Sequence, residues 1–126
     1  MSSSEIERHD IEVAGGELAA FGLGGRGAHE ASAELPSVVV VHGITATSRA
    51  WLAVARALAG RAKIVAPDLR GRGSSNGLGP PFGIASHARD LLAVLDHFKL
   101  DRPLLVGHSL GGYIVARLAV EHPHRV

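Results

Sequence analysis

Ser109 stands between two glycines in residues 104–112, which read Leu-Leu-Val-Gly-His-Ser-Leu-Gly-Gly. An apolar run precedes this serine and an apolar helical pattern follows it, so the stretch predicts a strand, a tight turn and a helix. A serine at the tip of such a turn has strained backbone geometry, and Gly107 and Gly111 remove the collisions that a Cβ atom would cause. The turn places the serine oxygen near a helix N-terminus, which suits a nucleophile whose attack creates an oxyanion. The simpler alternative is a loop serine that caps the helix.

The rest of the chain predicts the sheet that would position this turn. Four consecutive valines from Val38 to Val41 predict a strand that is buried on both faces. A partly alternating pattern in residues 6–13, broken at Gly15 and Gly16 and resumed in residues 18–21, predicts a β-hairpin at a sheet edge. We further predict buried strands at residues 37–41, 63–66 and 103–106, and helices at residues 48–59, 84–98 and 110–120. This alternation indicates an α/β fold with a doubly wound, mostly parallel sheet and an N-terminal hairpin.

Residues 22–36 are rich in glycine and alanine and predict a mobile connection. Gly22, Gly24 and Gly27 match the dinucleotide-binding pattern Gly-x-Gly-x-x-Gly. That pattern needs an acidic residue after the next strand, and His42 occupies this position. We therefore predict no cofactor site in this segment.

Three motifs occur in an order that resembles the α/β-hydrolase superfamily, in its cofactor-free, esterase-like branch. They are His42-Gly43-Ile44 after the valine strand, Asp68-Leu-Arg-Gly-Arg-Gly-Ser74, and the glycine-flanked Ser109. The resemblance covers nearly the whole chain from the hairpin onward. It implies an α/β-hydrolase fold that is incomplete at its C-terminus.

The resemblance also implies roles for individual residues. Ser109 would be the nucleophile, and the backbone N–H groups of Ile44 and Leu110 would form the oxyanion hole. Four residues would support the elbow and the oxyanion loop: His42, Gly43, Gly107 and Gly111. Serine, where other branches have aspartate, argues against a haloalkane dehalogenase or an epoxide hydrolase. It favours acyl chemistry on an ester, lactone, thioester or amide through an acyl-enzyme, with no metal and no cofactor.

The acid and the base of such a family member follow the nucleophile along the chain, and here the sequence departs from the pattern. After Ser109 the candidates are Glu121, His122 and His124. At about 1.5 Å per helical residue, His122 would lie on the order of 15 Å or more from Ser109, too far to act as its base. We therefore predict that residues 1–126 are the N-terminal part of a single core domain, and that later strands, the lid, the acid and the histidine lie beyond Val126. The strand at Leu104 would then have one edge unpaired, so residues 1–126 alone should be poorly stable and inactive.

Two other hypotheses remain open. The protein could be a non-catalytic member of the same fold that binds a small molecule, or a naturally truncated, inactive protein. Hydrolysis, acyl transfer and haloperoxidase-like activity are not distinguished by these residues, nor is the substrate.

The remaining candidate residues have structural interpretations. His108 should point away from the substrate by alternation, and His42 should brace the oxyanion loop. Asp68 and Arg70 should bind their own loop, and Trp51 should pack within its helix. His87 and His97 should be solvated or lie at the edge of the core.

Composition excludes several classes of partner and site. The net charge is +1, with acidic and basic residues interspersed, so neither nucleic acid nor a membrane is expected to bind. Cysteine is absent, which excludes disulfides and thiolate metal sites and fits a cytoplasmic protein. We expect a small-molecule acyl substrate as the partner and make no prediction of oligomeric state.

Overall fold

The computed structural model describes residues 5–24 and 35–126. In this part of the chain five strands form one mixed sheet in the order β1-β2-β4-β3-β5. The strands are β1 (Ile6–Val13), β2 (Gly16–Leu23), β3 (Ser37–Val41), β4 (Lys63–Pro67) and β5 (Leu104–Gly107). The hairpin β1-β2 pairs antiparallel with β4, whereas β3 pairs parallel with both β4 and β5. The predicted α/β fold with its N-terminal hairpin is confirmed.

Helices cover both faces of this sheet. They are α1 (Leu52–Ala57), α2 (Ile84–His97) and α3 (Leu110–Glu121), with short 3₁₀ segments at Ser48–Trp51, Gly73–Ser75 and Pro123–Arg125. Helix α1 packs through Ala55 on the face that carries Val38 and Val40. Helices α2 and α3 pack on the opposite face with Val39 and Val41. Because alternate valines of β3 feed two separate cores, this strand is buried on both sides, as its sequence predicts.

Strand β5 is less buried than its apolar run predicts, but in the described part of the chain it has the unpaired edge expected of it. Leu104 is 63% exposed, and the other three residues of β5 are only partly buried. The reason is topological, since β5 is the last strand of the sheet and pairs on one side with β3. An unbroken apolar run indicates that a strand tends to be buried, but it does not indicate whether the strand is central or at the edge of the sheet.

Other details of the predicted elements also differ in the structure. Strand β2 continues to Leu23, so the connection predicted from Gly22 begins two residues later, and Gly27 lies outside the described residues. The first predicted helix begins as the 3₁₀ segment, where the Thr47 side chain accepts a hydrogen bond from the backbone N–H of Arg49. Val54, expected on its buried face, is 40% exposed.

Arg70 ties three parts of the fold together and is not confined to its own loop, so that prediction is wrong. Its Nε and Nη2 donate to the two carboxylate oxygens of Asp90 on α2, at 2.8 and 3.0 Å. It also donates to the carbonyl oxygens of Ala14 in the hairpin turn and of Gly79. The hydrogen bond to Asp90 raises the pKa of Arg70 and the pair is almost fully buried, so this cross-link keeps its charge.

Lys99, just beyond α2, provides a test of backbone strain. Its φ is +55°, in the region where a Cβ atom is unfavourable, while the N–H of Leu100 closes the helix onto the carbonyl of Leu95. Lys99→Gly should raise the free energy of unfolding by about 1 kcal/mol, measured by chemical denaturation. Lys99→Ala removes the same charge but retains the strain, so an equal gain in both variants would contradict this account.

A histidine pair joins β1 to the end of α2 and should make stability depend on pH. His9 Nδ1 and His97 Nε2 are 3.0 Å apart, and His9 Nε2 lies 2.8 Å from a carboxylate oxygen of Glu7. Partial burial, and then the charge of His9, lower the pKa of His97. The unfolded chain therefore binds more protons near this pKa, and stability falls as the pH drops through about 6.5. His97→Gln should flatten the dependence of unfolding free energy on pH between about 7 and 5, and an unchanged slope would refute this.

Candidate active site

Ser109 occupies a strained turn between β5 and α3. Its φ and ψ are 55° and −118°, a combination that a residue with a side chain rarely adopts. The N–H of His108 donates to the carbonyl of Val41 at 3.0 Å and fixes the turn against the end of β3. Ser109 is exposed, so the turn presents its side chain at the carboxyl edge of the sheet. The strand, tight turn and helix that the sequence predicts around Ser109 are therefore present.

The two flanking glycines are required by close backbone contacts. A Cβ atom on Gly107 would collide with the backbone of Gly111, and one on Gly111 would collide with the carbonyl of Val41. Neither obstacle can move without shifting β3 or α3. The spacing of the motif is therefore set by how closely the helix approaches the strand ends.

The structure brings the His42-Gly43-Ile44 loop against the elbow. A Cβ atom on Gly43 would lie 3.4 Å from the Cβ atom of Ser109, and Ile44 follows directly with 54% of its surface exposed. Within the described part of the chain, the backbone N–H groups of Ile44 and Leu110 donate no hydrogen bond. One unengaged donor, on Leu110, thus directly follows Ser109, and the other, on Ile44, belongs to the loop that packs against the elbow.

Both ring nitrogens of His42 form hydrogen bonds beneath this loop. Its Nε2 accepts a hydrogen bond from the N–H of Leu69 at 3.0 Å, so the ring proton must lie on Nδ1, 2.7 Å from the carbonyl oxygen of Gly43. Burial lowers the pKa of His42, although the bond to Gly43 and the charge of Asp68 oppose this effect. His42 is 1% exposed, and its neutral form links the two loops.

Asp68 organises the second loop. Its two carboxylate oxygens accept hydrogen bonds from the backbone N–H groups of Ser48 and Ser74, each at 2.8 Å. Only Ser74 belongs to its own loop, so the prediction for Asp68 is half right. The bond to Ser48 fixes the start of the 3₁₀ segment that follows the His42-Gly43-Ile44 loop.

An apolar groove of about 300 Å³ opens beside Gly43. Its other lining residues are His42, Ala46, Ala50, Trp51, Val54 and His108. Trp51 packs against the core under α1, as predicted, but it also faces this groove with His108. The groove is thus an apolar surface within reach of the elbow.

His87 is buried, contrary to its prediction as a solvated or core-edge residue. It is 3% exposed, and its Nδ1 has no hydrogen-bond partner among the described residues. Burial lowers its pKa; the charge of Asp90 opposes this effect, and the charges of Arg72 and Arg70 lower the pKa further. In the sequence, the burial of His87 is indicated only by its position. This residue lies on the apolar side of α2, three residues before Asp90. His97 is exposed, which agrees with its prediction.

The residues after Ser109 supply no partner near the elbow. Glu121 ends α3 and His122 caps it, so both lie at the far end of a 12-residue helix. Over residues 5–24 and 35–126, no group of three or more His, Asp or Glu side chains could hold a metal ion, and no helix is long and apolar enough to cross a membrane.

Residues 36–126 match the sequence profile of the α/β-hydrolase fold. The chain belongs to this family. It is 37% identical over 103 residues to the 2-hydroxy-6-oxo-2,4-heptadienoate hydrolase of Pseudomonas putida, covering 78% of this chain and 37% of that protein. An α/β hydrolase from Novosphingobium aromaticivorans superposes with a TM-score of 0.84 at 26% identity, over 99% of this chain and 43% of that one.

An epoxide hydrolase variant from Vigna radiata also superposes, with a TM-score of 0.76 and 33% identity over 97% of this chain and 36% of that one. The chain therefore spans less than half the length of each of these α/β hydrolases. It forms the N-terminal portion of the fold.

The two glycines after Ser109 offer a matched test of the elbow. Gly111→Ala would force a Cβ atom against the Val41 carbonyl, and should cost about 3 kcal/mol or more of unfolding free energy. Gly112→Ala makes only ordinary contacts, the nearest at 3.6 Å, and should stabilise α3 by up to about 1 kcal/mol. Chemical denaturation of both variants checks this, and equal effects would show that the close approach is not rigid.

Proposed function

We propose that this α/β-hydrolase chain is the N-terminal part of a serine hydrolase that cleaves an ester, lactone, thioester or amide through an acyl-enzyme. The observation that carries the proposal is Ser109 itself. Its positive φ is retained at an energetic cost, and the turn exposes the side chain beside two unengaged backbone donors. A serine that only capped the helix would not need this geometry, and Ser109 makes no side-chain cap bond.

The proposed reaction starts with attack of Ser109 Oγ on the substrate carbonyl carbon. The carbonyl oxygen becomes an oxyanion, which the N–H groups of Ile44 and Leu110 would stabilise. The N-terminus of α3 adds a favourable field at the same place. Collapse of this intermediate releases the alcohol, thiol or amine and leaves the acyl group on Ser109, and water then hydrolyses that ester.

Proton transfer needs groups from beyond Val126. His42 cannot accept the serine proton, because Gly43 and Leu69 occupy both of its ring nitrogens. We therefore propose that the triad acid and base, further strands and a lid belong to the remainder of the protein. The named relatives are longer than this chain, which supports the proposal.

The relatives support hydrolysis but differ in their substrates. One is named as a hydrolase of a heptadienoate and another as an epoxide hydrolase. Ser109, in place of the aspartate of epoxide-opening branches, favours acyl chemistry.

The absence of cysteine from these 126 residues supports a cytoplasmic location.

The second candidate function is non-catalytic binding of a small molecule. It is favoured by the absence, in the described residues, of a base beside Ser109 and by the apolar groove beside Gly43. In such a protein Ser109 would not be activated.

A fluorophosphonate probe on the longer protein separates the two functions. We expect stoichiometric labelling at Ser109, located by mass spectrometry, and loss of labelling in Ser109→Ala. Ser74→Ala is the matched control, since this exposed serine bonds Asp68 through its backbone N–H. Residues 1–126 alone, without the base, should label no faster than a denatured sample. Absence of labelling in the folded, longer protein would favour the binding function.

A further inference from the structure

Arg72 contacts the backbone of the oxyanion loop, and this contact has no role in the reaction steps proposed above. Its Nε donates a hydrogen bond of 2.6 Å to the carbonyl oxygen of Ile44. The backbone of Arg72 is itself held, because its N–H donates to Leu69 and its carbonyl accepts from Ser75, each at 2.8 Å. The guanidinium therefore reaches the oxyanion loop from a fixed base.

Two consecutive carbonyl groups of the oxyanion loop, those of Gly43 and Ile44, accept hydrogen bonds. The Gly43 carbonyl accepts from His42 Nδ1 and from the N–H of Ala46, and the Ile44 carbonyl accepts from Arg72. In a planar trans peptide the N–H points opposite to the C=O. The bonds to Gly43 therefore set the direction of the Ile44 N–H, and the bond from Arg72 fixes the next peptide plane. With both planes held, Ile44 has little freedom to turn its N–H away.

We propose that Arg72 is a positioning residue that holds the backbone of Ile44 so that its N–H stays directed at the oxyanion formed on Ser109. This inference rests on the proposed serine hydrolase function. Arg72 does not touch the reacting atoms and acts through the peptide on either side of Ile44.

The charge of Arg72 has a second effect, on His42. Burial is the main cause of the lowered pKa of His42, and Arg72 lowers it further, whereas Asp68 raises it. His87 packs from α2 and His108 lies beside Gly43, so these are the other titratable groups nearby. Protonation at Nε2 would break the bond from the Leu69 N–H and release the loop. Arg72 thereby keeps the loop assembled to lower pH.

Three variants of the longer protein separate the two effects. Arg72→Gln places a neutral N–H donor at the same distance along the side chain as Nε. Arg72→Lys keeps the charge but moves the donor, and Arg72→Met removes both. Arg61→Met, at an exposed arginine between α1 and β4, is the matched control. The measurements are the rate of fluorophosphonate labelling at Ser109, kcat and KM for p-nitrophenyl acetate from pH 5 to 9, the pKa of His42 by NMR, and thermal unfolding.

At pH 8 we expect Arg72→Met to lower kcat and the labelling rate by about tenfold to a hundredfold, with KM changed less than about threefold. Arg72→Gln should stay within about threefold of wild type at pH 8. In Gln and Met the His42 pKa should move to higher pH, while Lys should leave it in place. If Arg72→Met unfolds, the contrast between Gln and Lys decides.

Wild-type labelling combined with an unaffected Arg72→Met variant would overturn this inference and leave the proposed function intact. A Gln variant as slow as Met at pH 8 would also overturn it, because the donor at that position would not matter. If the wild-type protein is not labelled, the proposed function and this inference fall together.

Discussion

The contact between the start of α3 and the end of β3 is the constraint on which the site depends. Gly111 lies so close to the Val41 carbonyl that no side chain fits between them, and the bond from His108 to Val41 closes the same junction. These contacts fix the position and orientation of the helix. The turn between it and β5 therefore has a positive φ at Ser109. The strain is local, but it is maintained by packing of α3 onto the core of the sheet through Ile114 and Leu118.

The site is also stabilised by hydrogen bonds between the loops that follow the neighbouring strands β3 and β4. The loop after β3 is held by the loop after β4 through His42 and Arg72, and Asp68 secures the segment that comes next. Arg70 extends the same loop to α2 and the hairpin turn. The proposed oxyanion hole would need this support, since a backbone donor is positioned only by what holds its peptide.

Much of this architecture could be predicted because it follows local rules. The valine run, the glycine-broken hairpin and the spacing of glycines about Ser109 each encode geometry within a few residues, and the structure has all three. The burial of His87 and the partners of Arg70 could not be read in this way. They depend on which distant element lies alongside, and hydrophobic periodicity does not specify that. The oxyanion roles of Ile44 and Leu110 came from resemblance, because a backbone donor leaves no side-chain signature.

The side chain of Ile44 contributes to none of the bonds that hold its own peptide. More than half of it faces solvent, while its carbonyl is held by Arg72 and its N–H direction by Gly43. A side chain of different size or polarity can therefore replace Ile44 with little effect on the hydrogen bonds that hold the backbone. A substitution at position 44 can thereby change the exposed surface of this loop without removing the hydrogen bonds that hold its backbone.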